Sequence, residues 1–415
     1  MLGYRRAEPA GSAFLVRVTG RECYNRRNIS EEERMAIQYP VIKKGRFVSR
    51  PNRFVIFMEM DGKIVKAHMP NPGRMRELLF PGVTLYAAPH AKEGSRTQYR
   101  IVGVDREGEP VPLDTSRAND TAEWLINHGK IPGWEAYRVL RREVTMGDSR
   151  FDLLLGNGAV QFPVEVKSCT LFGKNGAMFP DAVTARGRKH VLHLGNIGKN
   201  GGRAGLLVLV QWDRARWFLP DYHTDPEFAE AFRSVAPYID WKAAALQWTP
   251  DFTVPAGVRL LPSPLEILDQ ESGNSGDYLL VLHLDTAQDI EIGSRGILHF
   301  PEGYYVYIGS ARKNLDQRMA RHRRLRKGMH WHIDWLRQKA EWVGCIPIRT
   351  AEDLEHQLAT SVSRIADWEI PGFGCTDCHC PTHLFGFHEN PMYLPGFVQI
   401  EEDFEINRLD SLVHE

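Results

Sequence analysis

Asp152, Glu165 and Lys167 are residues whose types and spacing can do chemistry together. Asp152 lies inside the apolar run Arg150-Phe151-Asp152-Leu153-Leu154-Leu155, and Glu165 and Lys167 sit two apart in Phe162-Pro163-Val164-Glu165-Val166-Lys167. Residues two apart in a strand project from one face. If the two runs are neighbouring strands, three charged groups meet at a partly buried sheet edge. Charges in such a frame are costly unless something compensates them. Two readings stand side by side. Glu165 and Lys167 form a structural ion pair, or two carboxylates offer hard oxygen ligands to Mg²⁺ or Mn²⁺ while the lysine orients an attacking water near a phosphoryl group. A second set, Cys375, Cys378, Cys380 and His383, lies within nine consecutive residues. Such ligands suit Zn²⁺, although structural zinc usually draws its ligand pairs from either side of a longer loop. Packed cysteines beside Phe373 and Phe385 are the other reading. His330 and His332 flank Trp331 and are not assigned as ligands.

These groups need elements to hold them. Gly156-Asn157-Gly158 supplies the turn that would bring the Asp152 strand beside the Glu165 strand. Upstream, Arg53-Phe54-Val55-Ile56-Phe57-Met58-Glu59-Met60 reads as a strand, Asp61-Gly62 as a hairpin turn, and Lys63-Ile64-Val65-Lys66-Ala67 as its partner. Further short strands over residues 83–88 and 99–104 suggest a small barrel. From residue 115 the period changes: helices over 118–129 and 184–196 alternate with strands over 137–144, 151–155, 162–166 and 204–211. That alternation predicts an α/β domain with a mixed sheet. Pro262-Ser263-Pro264 and Glu271-Ser272-Gly273-Asn274-Ser275-Gly276 read as a linker. Strands at 279–284 and 304–308, a basic helix from about residue 315 and another over 352–365 make a third unit.

At 415 residues the chain exceeds one ordinary core. Lys plus Arg and Asp plus Glu both total 52, so contact with phosphates must come from local patches and not a global field. Arg186-Gly187-Arg188-Lys189-His190 and Arg321-His322-Arg323-Arg324 are such patches, or else solvated helix faces. No run of about 18 apolar residues is present, so no membrane span is expected. Residues 1–40 show no signal-peptide pattern. Six cysteines do not suggest a disulfide framework, and a reducing cytoplasm is the expected compartment.

Met69-Pro70-Asn71-Pro72-Gly73-Arg74-Met75, Arg150-Phe151-Asp152, Val164-Glu165-Val166-Lys167-Ser168-Cys169-Thr170-Leu171 and the long segment from Phe179-Pro180-Asp181 to Arg188-Lys189-His190 carry a resemblance. Together, over residues 45–262, they resemble the sugar fermentation stimulation protein family. The resemblance implies an OB-like β-barrel, a PD-(D/E)XK nuclease-like α/β domain and nucleic-acid binding. It makes Asp152 and Glu165 metal ligands, Lys167 the water-assisting group and Glu143 an extra carboxylate. Arg186, Lys189 and His190 would face the phosphate backbone, with Arg53 and Arg74 on the barrel, where Phe54 is either a contact or core.

Gly303-Tyr304-Tyr305-Val306-Tyr307-Ile308-Gly309-Ser310-Ala311, followed by Leu315, Arg318 and His322, resembles the GIY-YIG nuclease fold over residues 276–386. Gly276-Asp277-Tyr278 is then the first motif and Tyr307-Ile308-Gly309 the second. The resemblance implies that a tyrosine activates water, Arg318 meets the scissile phosphate, His322 contacts nucleic acid and Glu355 binds metal. The gap from Tyr278 to Tyr307 is longer than this fold generally shows, and a binding module with a retired site is the alternative.

The resulting layout is an N-terminal extension (1–40), an OB-like barrel (41–112), a PD-(D/E)XK-like domain (113–262), a linker (263–275), a small α/β GIY-YIG-like domain (276–390) and a tail (391–415). The expected function is metal-dependent hydrolysis of DNA or RNA. The alternative is a non-catalytic DNA-binding regulator of sugar fermentation genes, although no helix-turn-helix pattern is present.

Overall fold

A computed structural model describes residues 39, 41–90, 96–375, 378 and 380–413, so the extension expected over 1–40 lies outside the described residues apart from Tyr39. Short strands and tight turns build the first unit. The strands β1 (Lys43–Asn52), β2 (Val55–Met60), β3 (Lys63–His68), β4 (Thr84–Pro89) and β5 (Tyr99–Arg106) run in the order β3-β2-β1-β4-β5. Pairing of Ala67 with Tyr99 returns β5 to β3, which closes five strands and removes their free edges. β6 (Glu109–Pro112) pairs with β5 outside that circuit. The β2–β3 turn is Asp61-Gly62, with φ of 52° and 72°, the left-handed pair that suits the twist of a hairpin.

The central unit is a mixed sheet between helices. Helix α1 (Ala118–Asn127) precedes the meander β7 (Arg138–Met146), β8 (Ser149–Gly156) and β9 (Gln161–Cys169). β10 (Leu171–Phe172) and β11 (Gly176–Phe179) follow, then α2 (Ala185–Lys199), β12 (Gly205–Val210), β13 (Trp217–Pro220), α3 (Pro226–Val235), β14 (Asp240–Gln247) and β15 (Gly257–Leu260). The main sheet has the order β15-β14-β12-β9-β8-β7, with β12 parallel to both β9 and β14. All six residues of β12 are buried, because alternate side chains pack in opposite directions. Leu206, Val208 and Val210 share a core with Val191 and Leu194 of α2. Leu207 and Leu209 share another with Ala122, Leu125 and Ile126 of α1.

The segment read as a linker holds a short helix, α4 (Ile267–Glu271), whose Ile267 and Leu268 are buried. The third unit is an antiparallel sheet ordered β20-β16-β19-β22-β21. Its elements are β16 (Gly276–Leu284), β17 (Gln288–Glu291), β18 (Ile297–Phe300), β19 (Gly303–Ala311), α5 (Leu315–Arg323), α6 (His332–Arg337), β20 (Glu341–Arg349), α7 (Glu355–Ser363), β21 (Trp368–Glu369), β22 (Leu384–Phe387) and α8 (Pro395–Glu405). The long interval between Tyr278 and Tyr307 is taken up by the separate β17–β18 hairpin, whose Ile290 and Phe300 join the core beneath α5 and α6. Residues beyond 390 carry α8 and a 3-10 turn, Asn407–Ser411.

Candidate functional site

Pairing of β8 with β9 ends at Leu153 opposite Val164, and the next position on each strand holds Asp152 and Glu165. There a side chain takes over from the backbone ladder: Asp152 Oδ2 accepts from the Val166 amide at 2.8 Å. Its Oδ1 accepts from Asn119 Nδ2 at 2.9 Å, in the first turn of α1. Glu165 is 3% exposed. Its Oε1 receives Lys167 Nζ at 2.5 Å and lies 2.7 Å from His190 Nδ1, while its Oε2 is buried without a hydrogen-bond partner. An orphaned buried acceptor costs about 1–3 kcal/mol, and a cation held there would relieve it. Carboxylate oxygens suit a hard divalent ion such as Mg²⁺, Mn²⁺ or Ca²⁺, so the residues fit such an ion. The cavity over this edge measures about 340 Å³ and is lined by Asn119, Asp152, Glu165, Lys167, Arg186 and His190 among others.

Helix α2 brings two of those groups. Its N-cap, Thr184, accepts from the Gly187 amide at 3.1 Å through Oγ1, which satisfies one of the open amides of the first turn. Arg186 and His190 are four residues apart and share the face turned to β9. Arg186 stays exposed at the rim of the cavity. His190 does not face solvent phosphate as expected; it is buried against Glu165, because the helical period turns it inward. Lys189 falls on the neighbouring face, paired with Asp148 at 2.8 Å over a separate groove. Glu143 also stands apart: its φ of 57° places an exposed side chain beside Arg150 and not in the cavity.

On the barrel, Arg53 is exposed and lies 5.2 Å from the centroid of the Phe54 ring, itself 49% exposed. Arg74 is a different case. Its Nε donates to the Asp181 carbonyl at 2.6 Å and its guanidinium to Thr224 Oγ1 at 2.9 Å. The expectation that Arg74 meets nucleic acid is therefore corrected: it fastens the barrel to the central unit.

The third unit gathers Tyr278, Tyr307, Arg318 and Glu355 around one cavity of about 300 Å³. Strands β16 and β19 pair Tyr278 with Gly309 and Leu280 with Tyr307, and the tyrosine ring centroids lie 6.4 Å apart. Gly309 must lack a side chain, since a Cβ there would sit 2.4 Å from Tyr278 Oη. Tyr278 Oη and His322 Nε2 are hydrogen-bonded at 2.8 Å, and His322 Nδ1 is 3.6 Å from Asp334. Burial pushes the Tyr278 phenol well above its ordinary value and holds His322 below its own. His322, only 1% exposed, is thus a partner of Tyr278 and not a nucleic-acid contact, a correction that follows from its turn of α5 facing the core. Asp334 is held far below the usual carboxylate range; burial opposes this, and His322, Arg321 and Lys327 outweigh it.

Arg318 packs 4.2 Å from the Trp331 ring centroid. Glu355, the first residue of α7, accepts from Ser310 Oγ at 2.7 Å through Oε2. Its Oε1 lies 3.1 Å from His383 Nδ1, close but off a hydrogen-bond line. Asp277, fully buried, was not foreseen: oxygens of Asp277, Asp353 and Glu355 lie within 4.8 Å of one another. The zinc expectation is also altered. The four soft-ligand atoms that converge within 4.8 Å belong to His356, Cys378, Cys380 and His383. Cys375, whose Sγ is 3.7 Å from the Pro381 carbonyl, is not among them, and His356 of α7 stands in the set instead. Asn119 carried no spacing signal, whereas Asp277 lay inside the first motif with no role assigned and His356 stood directly after a residue already singled out.

The folds and these edges define a multidomain protein with an OB barrel, a nuclease-like central domain and a GIY-YIG-like third unit. Family models match in the same order: "SfsA N-terminal OB domain" over residues 48–113, "Sugar fermentation stimulation protein RE domain" over 116–251 and "Domain of unknown function DUF123" over 277–405. The chain belongs to the sugar fermentation stimulation protein family. A sugar fermentation stimulation protein homolog of Clostridium tetani is 36% identical over 194 residues, 46% of this chain and 84% of the relative. That of Pyrobaculum arsenaticum is 42% identical over 191 residues, 45% of this chain and 79% of the relative. A solved structure, that of Pyrococcus furiosus SfsA in complex with Ca²⁺, matches with a TM-score of 0.50 and 27% identity, covering 55% of this chain and 98% of the other. No helix among the described residues is long and apolar enough to cross a membrane.

Proposed function

We propose that the chain is a cytoplasmic, divalent-metal-dependent nuclease that hydrolyses phosphodiester bonds in DNA or RNA, with its principal active site at the Asp152–Glu165–Lys167 edge. The observation that carries this reading is the buried, unpartnered Glu165 Oε2 beside a fixed Asp152 carboxylate. The Ca²⁺ bound to the Pyrococcus relative supports it, since that ion prefers the same oxygen ligands. Mg²⁺ or Mn²⁺ held by Asp152 and Glu165 would supply positive charge to the phosphoryl oxygens. Asn119 and the Val166 amide keep Asp152 oriented. His190 fixes Glu165, and Lys167 Nζ orients the water that attacks. Arg186 at the rim and Arg53 on the barrel meet the backbone of the substrate, as basic and aromatic surfaces of OB barrels do.

The third unit is read as a second phosphodiester site. Tyr278 takes a proton from the attacking water as it passes its own to His322, Arg318 offers a fork of donors to the phosphate, and Glu355 is its metal ligand. The test is cleavage of labelled single- and double-stranded DNA and RNA with Mg²⁺, Mn²⁺ or EDTA, using wild type, Glu165→Ala and Arg318→Ala. Metal-dependent cutting that falls roughly 100- to 1,000-fold in Glu165→Ala is expected. Loss confined to Arg318→Ala would move catalysis to the third unit. Binding without cutting under every metal would sink the nuclease reading and favour the DNA-binding regulator.

A further inference from the structure

We propose that His356, Cys378, Cys380 and His383 form a four-coordinate zinc site that pins the start of α7 to the loop before β22. One ligand atom from each residue lies within 4.8 Å of the other three. Zinc–sulfur bonds of about 2.3 Å and zinc–nitrogen bonds of about 2.0 Å in a tetrahedron separate neighbouring ligands by roughly 3.3–3.8 Å. His356 Nδ1 is 3.1 Å from Cys380 Sγ, and Cys378 Sγ is 3.5 Å from His383 Nε2. The group is thus nearly at coordination spacing. Two sulfur and two imidazole donors select Zn²⁺ over the hard ions suited to the carboxylate sites. Binding converts two thiols to thiolates and releases two protons for each ion bound.

The ligands also explain why a cysteine-rich loop sits here. His383 turns Nε2 to the thiols and Nδ1 to Glu355 Oε1, 3.1 Å away. That is the order of groups in a carboxylate–histidine–zinc relay, in which the carboxylate takes the second ring N–H and so fixes the tautomer and orientation of the ring that binds the metal. His356 directly follows Glu355, so the site grips α7 at the carboxylate itself. In the structure proposed here zinc is a positioning device for Glu355, and its consequence for cleavage rests on the nuclease reading of the tyrosine cavity.

Metal analysis of the full chain, purified without chelator, should find one zinc per chain. Co²⁺ added to the chelator-stripped chain should give thiolate-to-cobalt charge transfer and the strong visible absorption of a four-coordinate ion. His356→Ala and Cys380→Ser should each weaken Co²⁺ binding by more than about 100-fold, whereas Cys375→Ala should leave it unchanged. A wild-type chain that retains no zinc and gives no thiolate band overturns the site. So does a Cys375→Ala variant that loses the band while His356→Ala keeps it. These spectra need no nucleic acid, so the two proposals fail separately. A chain that cuts without binding zinc sinks only the zinc site, and a zinc-loaded chain that cuts nothing sinks only the nuclease reading.

Discussion

Glu165 receives two donors at one oxygen and none at the other, an asymmetry that a purely structural ion pair would have no reason to keep buried. Asp277 poses a related problem in the third unit. Its Oδ2 accepts from the Leu354 amide at 3.1 Å, and its Oδ1 is buried without a partner. Burial, with Glu355 and Asp353 adding to it, pushes the carboxyl up from 3.8 to about 7. A raised carboxyl leaves stability intact below pH 3.8, where both states are protonated, and costs stability as pH rises through about 7. Asp277→Asn keeps the acceptor for Leu354 and removes the charge. It should match wild type at pH 4 and exceed it by roughly 2 kcal/mol at pH 8 in urea denaturation. Equal stability at both values would show that the carboxyl ionises without penalty.

At the scale of elements, α2 is the arm that carries Arg186 to the rim and His190 to Glu165. Its start depends on one side chain, Thr184, whose Oγ1 caps the Gly187 amide. Thr184→Ala should cost about 1 kcal/mol in global stability and lower cleavage more than a substitution of equal cost on the far end of the helix. Equal losses from both would mean that α2 serves only the core. Gly309 does the corresponding work for β19. Gly309→Ala should displace Tyr278 from His322, destabilise the chain by about 1–3 kcal/mol and quench any activity of the tyrosine cavity, checked by melting and by cleavage.

Across the whole molecule, α8 and the turn after it tie the three units together. Arg76, in the loop after β3, pairs with Glu401 at 2.5 Å with side-chain exposures of 10% and 9%. Arg106 of β5 reaches Glu402 at 3.0 Å. Ile406 and Leu409 pack with Leu171, Trp217 and Leu268, and Trp217 Nε1 donates to Asp410 at 2.7 Å. Removing one partner of a buried pair strands the other charge. Arg76→Ala should therefore cost about 3–5 kcal/mol and speed proteolytic release of the third unit. An unchanged digestion pattern would show that the apolar seam alone holds it.

Much of this was legible in the residues. Strand alternation, the Asp61-Gly62 turn and the buried run at 204–211 determined the barrel and the central sheet, because local periodicity follows directly from which faces must leave water. The grouping of Asp152 with Glu165 and Lys167 was legible too, since a two-residue spacing and one short turn bring them together. What tertiary structure decided was direction. His190 and His322 read as basic contacts, yet helical phase turns both into the interior. Arg74 lay in the first motif of the resemblance, but only packing of the barrel on the central unit shows that its Nε and one terminal nitrogen are held by Asp181 and Thr224. Likewise His356 and not Cys375 joins the soft-ligand cluster, because the approach of α7 to Cys380 is a contact between residues distant in sequence. Sequence alone singled out residues whose types and spacing could do chemistry; the docking of the helices decided which of those side chains line the cavities and which are buried against one another.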